Sequence, residues 1–336
     1  MVGFALSALP ALVLSLCAVA SPARLAKRDN PVPSFVLANA PVSHLYSKEQ
    51  WWPADVAVHL THVTPEVNLS TVATSVTFQN ISSLGSDVCL TSKDDVSKSP
   101  AWLNSAVGKP DANGLSTAPT TIILVNKPGN ILDAFYFYFY SYDHGGKVLD
   151  IEFGDHVGDW EHSMVRFVNG TPSAIYLSAH SGGSAYTFNA PQKTNGRPTT
   201  YIGVGTHANY AQSGSHCHDL PANLLCDQTD AGPLWDPAAS YRAFWFDNST
   251  QTFTVAGGAG VGAANIKAEG TDWLSYKGRW GDEQYPDFDH GQYCIEIGSL
   301  VNECKYVTGP TGPIAKNLGR TAVCQTESGC KISTSL

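Results

Sequence analysis

Hydrophobic and polar positions alternate most regularly between residues 133 and 142, where phenylalanine and tyrosine follow each other in turn. Phe135, Phe137 and Phe139 fall on one side of an extended chain, because successive side chains of a strand point to opposite faces. The tyrosines fall on the other side. This pattern predicts a strand inside a β-sandwich, with the phenylalanines toward the core and the tyrosines toward a wetter surface.

Six further short apolar runs predict strands at residues 121–125, 160–168, 174–179, 201–205, 241–246 and 252–255. Turn sequences containing glycine, proline or asparagine separate most of them. One helix is predicted over residues 53–62, since proline is favoured in the first turn of a helix. We therefore predict a mainly β protein, an antiparallel β-sandwich with few short helices.

The first thirty residues have the pattern of an export signal. Residues 1–20 are mostly apolar and end in the small-x-small pattern of Ala18 and Ala20, which predicts a signal peptide. Residues 21–28 end in Lys27-Arg28, a pair that furin-like proteases cut in eukaryotic, including many fungal, secretory proteins. A single β-rich domain over residues 29–336 remains. It is expected to be secreted or vacuolar and to have no transmembrane anchor, because no other segment is long and apolar enough.

Seven of the eight cysteines lie after the predicted signal peptide, which contains Cys17. Clustered cysteines of exported proteins usually form disulfides, and these are expected to stabilise the C-terminal part. The short loop between Cys217 and Cys226 makes that pair the first prediction. Four C-terminal cysteines can pair in three ways, and the preferred pairing joins Cys294 to Cys304 and Cys324 to Cys330. Cys89 would then keep a free thiol.

Glycosylation sequons and net charge limit the classes of molecule that the protein is expected to bind. Four glycosylation sequons occur in turn-like stretches, at Asn68, Asn80, Asn169 and Asn248. The formal charge is −9, and residues 1–28 contain three basic residues and no acid, so their removal brings it to about −12. An acidic chain without basic clusters is a poor nucleic-acid binder, and charge alone does not draw it to an anionic membrane.

The chemistry is concentrated in the spacing His156-x-x-Asp159-x-Glu161. In a strand, Asp159 and Glu161 point to the same side, and that side continues through Val165 and Phe167, which are typical buried residues. Two carboxylates directed toward a core repel each other and take up protons unless a cation lies between them. His156, just before them, can close over the same point.

One imidazole with several oxygens favours Ca²⁺, Mg²⁺ or Mn²⁺ over structural zinc. A further carboxylate is needed, and Asp143 is the first candidate, with Asp155 and Asp150 as alternatives. In the other interpretation no metal is bound, and Asp159 and Glu161 make buried hydrogen bonds, or ion pairs for which Arg166 and Arg279 are the candidates.

The segment 154–162, Gly-Asp-His-Val-Gly-Asp-Trp-Glu-His, resembles the family of vacuolar protein sorting-associated protein 62. The motifs at 178–183, 196–198, 205–210 and 278–282 carry the same resemblance in consistent order, over about residues 41–289. It implies a link to the delivery of proteins to the vacuole.

A more distant resemblance is to the necrosis-inducing toxin-like proteins of plant pathogens, with the signature Gly-His-Arg-His-Asp-Trp-Glu. Its first histidine falls on His156, its aspartate on Asp159 and its glutamate on Glu161. In that family these positions bind a divalent cation in a β-sandwich, which the resemblance implies here. The second histidine falls on Gly158, a departure that counts against the toxin activity more than against the cation.

The sequence favours sorting or binding over catalysis. No nucleophile elbow and no His-Glu-x-x-His motif occurs. If the protein is an enzyme, its acid/base candidates are Glu161, His180 and His207, because both histidines end predicted strands near the motif. The alternatives are a toxin- or lectin-like module that binds a glycan or glycolipid, and a metal-dependent enzyme acting on a small metabolite or glycoconjugate.

Overall fold

The computed structural model describes residues 30–148, 150–218, 225–258, 269–297 and 301–336, together with Met1 and Gly3. The predicted signal peptide and pro-segment therefore lie almost wholly outside the described residues. The described residues contain two α-helices, α1 (Ser34–Ala38) and α2 (Val56–Thr61). The Asp55 carboxylate caps α2 by accepting the Ala57 N–H at 2.9 Å. The predicted helix at 53–62 is confirmed with tighter bounds.

Short 3₁₀ turns connect the larger elements, at Ile81–Ser83, Val96–Lys98, Ala106–Gly108, Asp272–Ser275, Asp289–Gly291 and Pro313–Ala315. Most of the regular structure is β. The strands of the described residues are β1 Val42–His44, β2 Val63–Val67, β3 Ser70–Thr71, β4 Cys89–Ser92, β5 Thr120–Lys127, β6 Ile131–Asp143, β7 Gly146–Val148, β8 Ile151–Phe153, β9 His156–Val168, β10 Thr171–Ala179, β11 Gly182–Thr187, β12 Lys193–Thr194, β13 Arg197–Ile202, β14 Asn209–Tyr210, β15 Gly214–Cys217, β16 Cys226–Thr229, β17 Leu234–Trp235, β18 Tyr241–Asp247, β19 Thr252–Val255, β20 Cys294–Ile297, β21 Val301–Cys304 and β22 Ile332–Ser333.

An eight-stranded sheet forms the centre of the molecule, in the order β19-β18-β5-β6-β9-β10-β11-β22. The aromatic strand β6 lies beside β9, and the two run antiparallel over their full length. Strand β9 begins at His156, four residues earlier than the predicted strand at 160–168, so the whole metal motif belongs to it. The strand predicted at 201–205 is displaced to Arg197–Ile202. The other five predicted strands are found with small changes at their ends.

The tyrosine face of β6 is covered, which the alternation of residues did not predict. Tyr136, Tyr138 and Tyr140 are fully buried, because a second sheet of order β12-β13-β1-β17, with β14 beside β13, packs on this face. The Trp235 ring of that sheet lies 5.0 Å from the Tyr138 ring, and Ile202 belongs to the same apolar cluster. The expectation of a wetter surface is therefore wrong, whereas the predicted mainly β sandwich is confirmed.

The phenylalanine face packs against α2 and the connecting segments. Its cluster includes Phe137, Phe139 and three fully buried tryptophans, at positions 160, 273 and 280. His59 of α2 lies in the same cluster, and its Nε2–H donates to the Trp280 carbonyl at 3.0 Å. This face is thus a second core, and the sheet is enclosed on both sides.

Three disulfides lie where the spacing favoured them: Cys217–Cys226, Cys294–Cys304 and Cys324–Cys330. Cys89 is the free cysteine of the described residues, and burial raises the pKa of its thiol to about 11, so the thiol stays protonated at neutral pH. The asparagines of all four sequons are exposed. Within the described ranges, none of the helices is both long and apolar enough to span a bilayer.

Candidate metal centre and its cavity

Strands β6 and β9 bring the predicted ligands to one end of the sandwich. Asp143 lies opposite His156 in the register, Asp159 lies opposite Tyr140, and Glu161 is next along the same side. Asp143, His156, Asp159 and Glu161 all line a single cavity of about 270 Å³. The sequence-predicted set is therefore brought together by the pairing of two adjacent strands.

A buried group at the back of this cavity consists of Asp143, Asp159 and His207, which place one donor atom each within 4.8 Å of the others. His207 Nδ1 lies 3.0 Å from Asp159 Oδ2, and its Nε2–H donates to the Trp51 carbonyl at 2.9 Å. The ring stacks on Tyr140 with 3.6 Å between centroids. Histidines that bind metals commonly donate their second N–H to a carbonyl in this way, so His207 has the environment of a ligand.

His156 is oriented in the same manner. Its Nδ1–H donates to the Gly158 carbonyl at 2.7 Å, and its Nε2 lies 3.9 Å from Asp143 Oδ2. Burial lowers the pKa of His156, which favours the neutral ring with a lone pair on Nε2. A lone pair that faces a carboxylate oxygen is repelled by it, unless a cation or a proton lies between the two.

The carboxylates of the cavity are similarly crowded. Burial and the neighbouring Asp159 raise the pKa of Asp143 well above its usual value, and the same two causes raise that of Glu161 to about 8. The Ser178 hydroxyl donates to Glu161, and Lys316 lies on the cavity wall. Such a set of oxygens and imidazole nitrogens fits a divalent cation, which would relieve the repulsion without protonation.

Gly158 allows the motif to adopt this shape. Its φ of +66° belongs to the left-handed region, and a Cβ at this position would lie 2.3 Å from the Trp280 carbonyl oxygen. There is no room for the side chain that the toxin-like signature carries here. The departure from that signature thus has a local steric cause.

The two alternative carboxylates do not reach the cavity. Asp155 accepts the Tyr142 hydroxyl at 2.9 Å and the Gly145 N–H at 2.8 Å, and Asp150 is an exposed turn residue. Neither lines the cavity, whereas Asp143 does. Of the alternatives left open by the sequence, the structure favours Asp143.

The arginine pairing considered for the two acids is not found. Arg166 forms a bidentate pair with Asp133, with N–O distances of 2.8 and 2.7 Å. Across the described ranges, no arginine lies within 4 Å of a carboxylate oxygen of Asp159 or Glu161. The metal-free interpretation therefore lacks its arginine ion pairs but keeps buried hydrogen bonds, from Ser178 to Glu161 and between His207 and Asp159.

The same cavity is also lined by His180, His218 and Asp227. His180 Nε2 lies 2.8 Å from Asp227 Oδ2. Of the three acid/base candidates, Glu161 and His180 line the cavity, whereas His207 is fully enclosed behind it. The role of Asp227 had no signal in its own sequence neighbourhood, because it becomes recognisable only beside His180.

Comparisons with known proteins identify relatives over most of the chain. The family model of "Vacuolar protein sorting-associated protein 62" matches residues 147–317. The vacuolar protein sorting-associated protein 62 of Saccharomyces cerevisiae is 36% identical over 335 aligned residues, covering 89% of this chain and 69% of the relative. The putative vacuolar protein sorting-associated protein TDA6 of the same yeast is 34% identical over 333 residues, covering 87% of this chain and 68% of the relative.

Comparison with solved structures finds matches of low similarity. Necrosis and Ethylene inducing Protein 2, from the causal agent of cocoa's Witches Broom disease, has a TM-score of 0.32 and 13% identity, covering 75% of this chain and 82% of that protein. NLPPya in complex with mannosamine has a TM-score of 0.29 and 12% identity, covering 74% of this chain and 93% of that protein.

Proposed function

Because this chain belongs to the vacuolar protein sorting-associated protein 62 family, we propose that it is an exported protein with a role in vacuolar protein delivery, and that it binds a divalent cation in its core motif. The cation serves binding rather than catalysis. The observation that carries this proposal is the convergence of Asp143, Asp159 and His207 within 4.8 Å, with His156 beside them, at the wall of one cavity.

Asp143, Asp159, His207 and His156 would hold the cation, and Glu161 extends the oxygen set along the wall. Two imidazoles among carboxylates favour Mn²⁺ over Ca²⁺ and Mg²⁺, which prefer oxygen ligands alone. When bound, the cation would offset the negative charge of the carboxylates and could accept a ligand from the cavity. The chain's own residues fix the ligands: the Gly158 and Trp51 carbonyls hold the two imidazoles in place.

Metal content after dialysis against Mn²⁺, Ca²⁺ or Mg²⁺ tests the site. We expect close to one equivalent of Mn²⁺ in the wild type and loss of that equivalent in Asp159→Asn, because one coordinating oxygen becomes an amide. Asp155→Asn is the matched control: it makes the same change at a buried carboxylate outside the cavity and should keep the metal. Equal Mn²⁺ content in wild type and Asp159→Asn, with both folded by circular dichroism, would overturn the proposal.

Export is supported by three disulfides and by four sequon asparagines that are all exposed. We expect the protein recovered from a eukaryotic secretory host to begin at Asp29, because Lys27-Arg28 is removed with the pro-segment. The intact mass after enzymatic deglycosylation measures this N-terminus. A mature chain that begins at Ser21 would contradict cleavage at the dibasic pair but not cleavage of the signal peptide.

A further inference from the structure

We propose that His180, His218 and Asp227 form a second metal site of the zinc type, which lines the same cavity as the first site. It shares none of the ligands of the first site, so it goes beyond the proposed function and stands on its own geometry. The three residues offer one donor atom each within 4.8 Å of one another, and all three line the cavity. Two imidazoles with one carboxylate form a zinc ligand set that leaves a fourth position open.

The distances within this cluster are close to those of a zinc site. His180 Nε2 lies 2.8 Å from Asp227 Oδ2, and His218 Nε2 lies 3.5 Å from Asp227 Oδ1. Tetrahedral zinc with bonds of about 2.0–2.1 Å sets its ligand atoms about 3.3 Å apart. The two observed separations lie on either side of this value, so small side-chain movements are enough to admit the ion.

The carboxylate is held by groups that are not ligands themselves. Thr206 Oγ1–H donates to Asp227 Oδ1 at 2.9 Å, and the Tyr210 hydroxyl donates to Oδ2 at 2.6 Å. Ligating carboxylates are commonly fixed by such outer hydrogen bonds. Asp227 is buried with a set orientation toward both imidazoles, which is the arrangement that a metal site requires.

The backbone around the cluster is also constrained. His218 and Asp227 lie on the hairpin of β15 and β16, directly beside the Cys217–Cys226 disulfide, and the His218 N–H donates to the Leu225 carbonyl at 3.0 Å. His180 begins the two-residue turn between β10 and β11 with a φ of +54°. Three separate elements thus present their side chains to one point.

The competing interpretation is a hydrogen-bonded His–Asp–His cluster without metal, in which both imidazoles donate to Asp227. It predicts no stoichiometric zinc. The first site also contains imidazoles, and such ligand sets bind zinc more tightly than manganese, so the second site is tested in a protein from which Asp159→Asn has removed the first.

Zinc titration of the oxidised full-length protein, with a chelating dye as competitor, tests the site. We expect Asp159→Asn, which lacks the first site, to bind one equivalent of Zn²⁺, with a loss of affinity of at least about 100-fold when either His180→Ala or Asp227→Asn is added to it. His290→Ala in the same background is the matched control, because this histidine also lies beside an aspartate, Asp95, but outside the cavity. It should leave zinc affinity unchanged.

Circular dichroism and retention of Mn²⁺ in His180→Ala show that the variant is folded. No stoichiometric Zn²⁺ in Asp159→Asn, or zinc affinity unchanged when His180→Ala and Asp227→Asn are each added to it, overturns the second site. Zinc that depends on His180 when the wild type binds no Mn²⁺ would instead overturn the first site and keep the second.

Discussion

Replacing Gly158 with alanine is expected to lower the free energy of unfolding by about 3 kcal/mol or more. A residue with a Cβ pays about 1–2 kcal/mol at the φ of +66° observed here. The new Cβ would also lie 2.3 Å from the Trp280 carbonyl oxygen, a backbone atom, so β9 or the opposing segment must shift. Such overpacking typically costs 1–3 kcal/mol more. Equilibrium unfolding in denaturant measures the difference.

Gly196→Ala provides the control for this prediction. Gly196 has a φ of +80°, but nothing lies within 4 Å of the position of its Cβ. It should therefore show only the conformational part of the loss, about 1–2 kcal/mol. Equal losses at the two positions would show that the contact with Trp280 carries no energy, contrary to the steric account of the motif.

Acid is expected to destabilise the protein through His59. Burial lowers the pKa of His59 to about 3, from an unfolded value of 6.5, against the smaller upward effect of its hydrogen bond to the Trp280 carbonyl. Below pH 6.5 the unfolded chain binds a proton that the folded chain does not, so stability falls as the pH falls. The loss from this group is about 2 kcal/mol at pH 5 and about 3 kcal/mol at pH 4.

His59→Gln separates this effect from other titrations. Glutamine keeps an N–H donor for the Trp280 carbonyl but does not titrate in this range. His62 also acts electrostatically on His59, and Phe139 and Trp102 pack against its ring. From pH 6.5 downward, the unfolding free energy of the wild type should fall relative to that of the variant. Parallel stability curves from pH 7 to pH 4 would contradict the prediction.

The common orientation of Asp159 and Glu161 could be read from the sequence, because strand periodicity is local and Val165 and Phe167 extend the same face. The residue at which β9 begins could not be predicted from the sequence. Gly158 is a residue that weakens strands in general, and only its contact with Trp280 explains why the strand passes through it. The sequence therefore located the motif but not the element that carries its first histidine.

The position of His207 beside Asp159 could not be predicted from the sequence either. Its position under Asp159, 48 residues away in sequence, depends on the packing of the turn between β13 and β14 against β9. Nothing in the neighbouring residues distinguishes an imidazole that ends beside a carboxylate from one that caps a strand. The same holds for the tyrosine face of β6, where alternation indicates two faces but not that a second sheet covers one of them.

The two ends of the large sheet have a consequence for aggregation through its edges. Its outermost strands, β19 and β22, have four and two residues, and β22 is paired over two positions only. A bare edge offers unpaired N–H and C=O groups to another chain, and short edges offer few of them. Both outermost strands are thus poor templates, and the open positions that remain on the β22 side lie along β11, because β22 pairs with only two of its six residues.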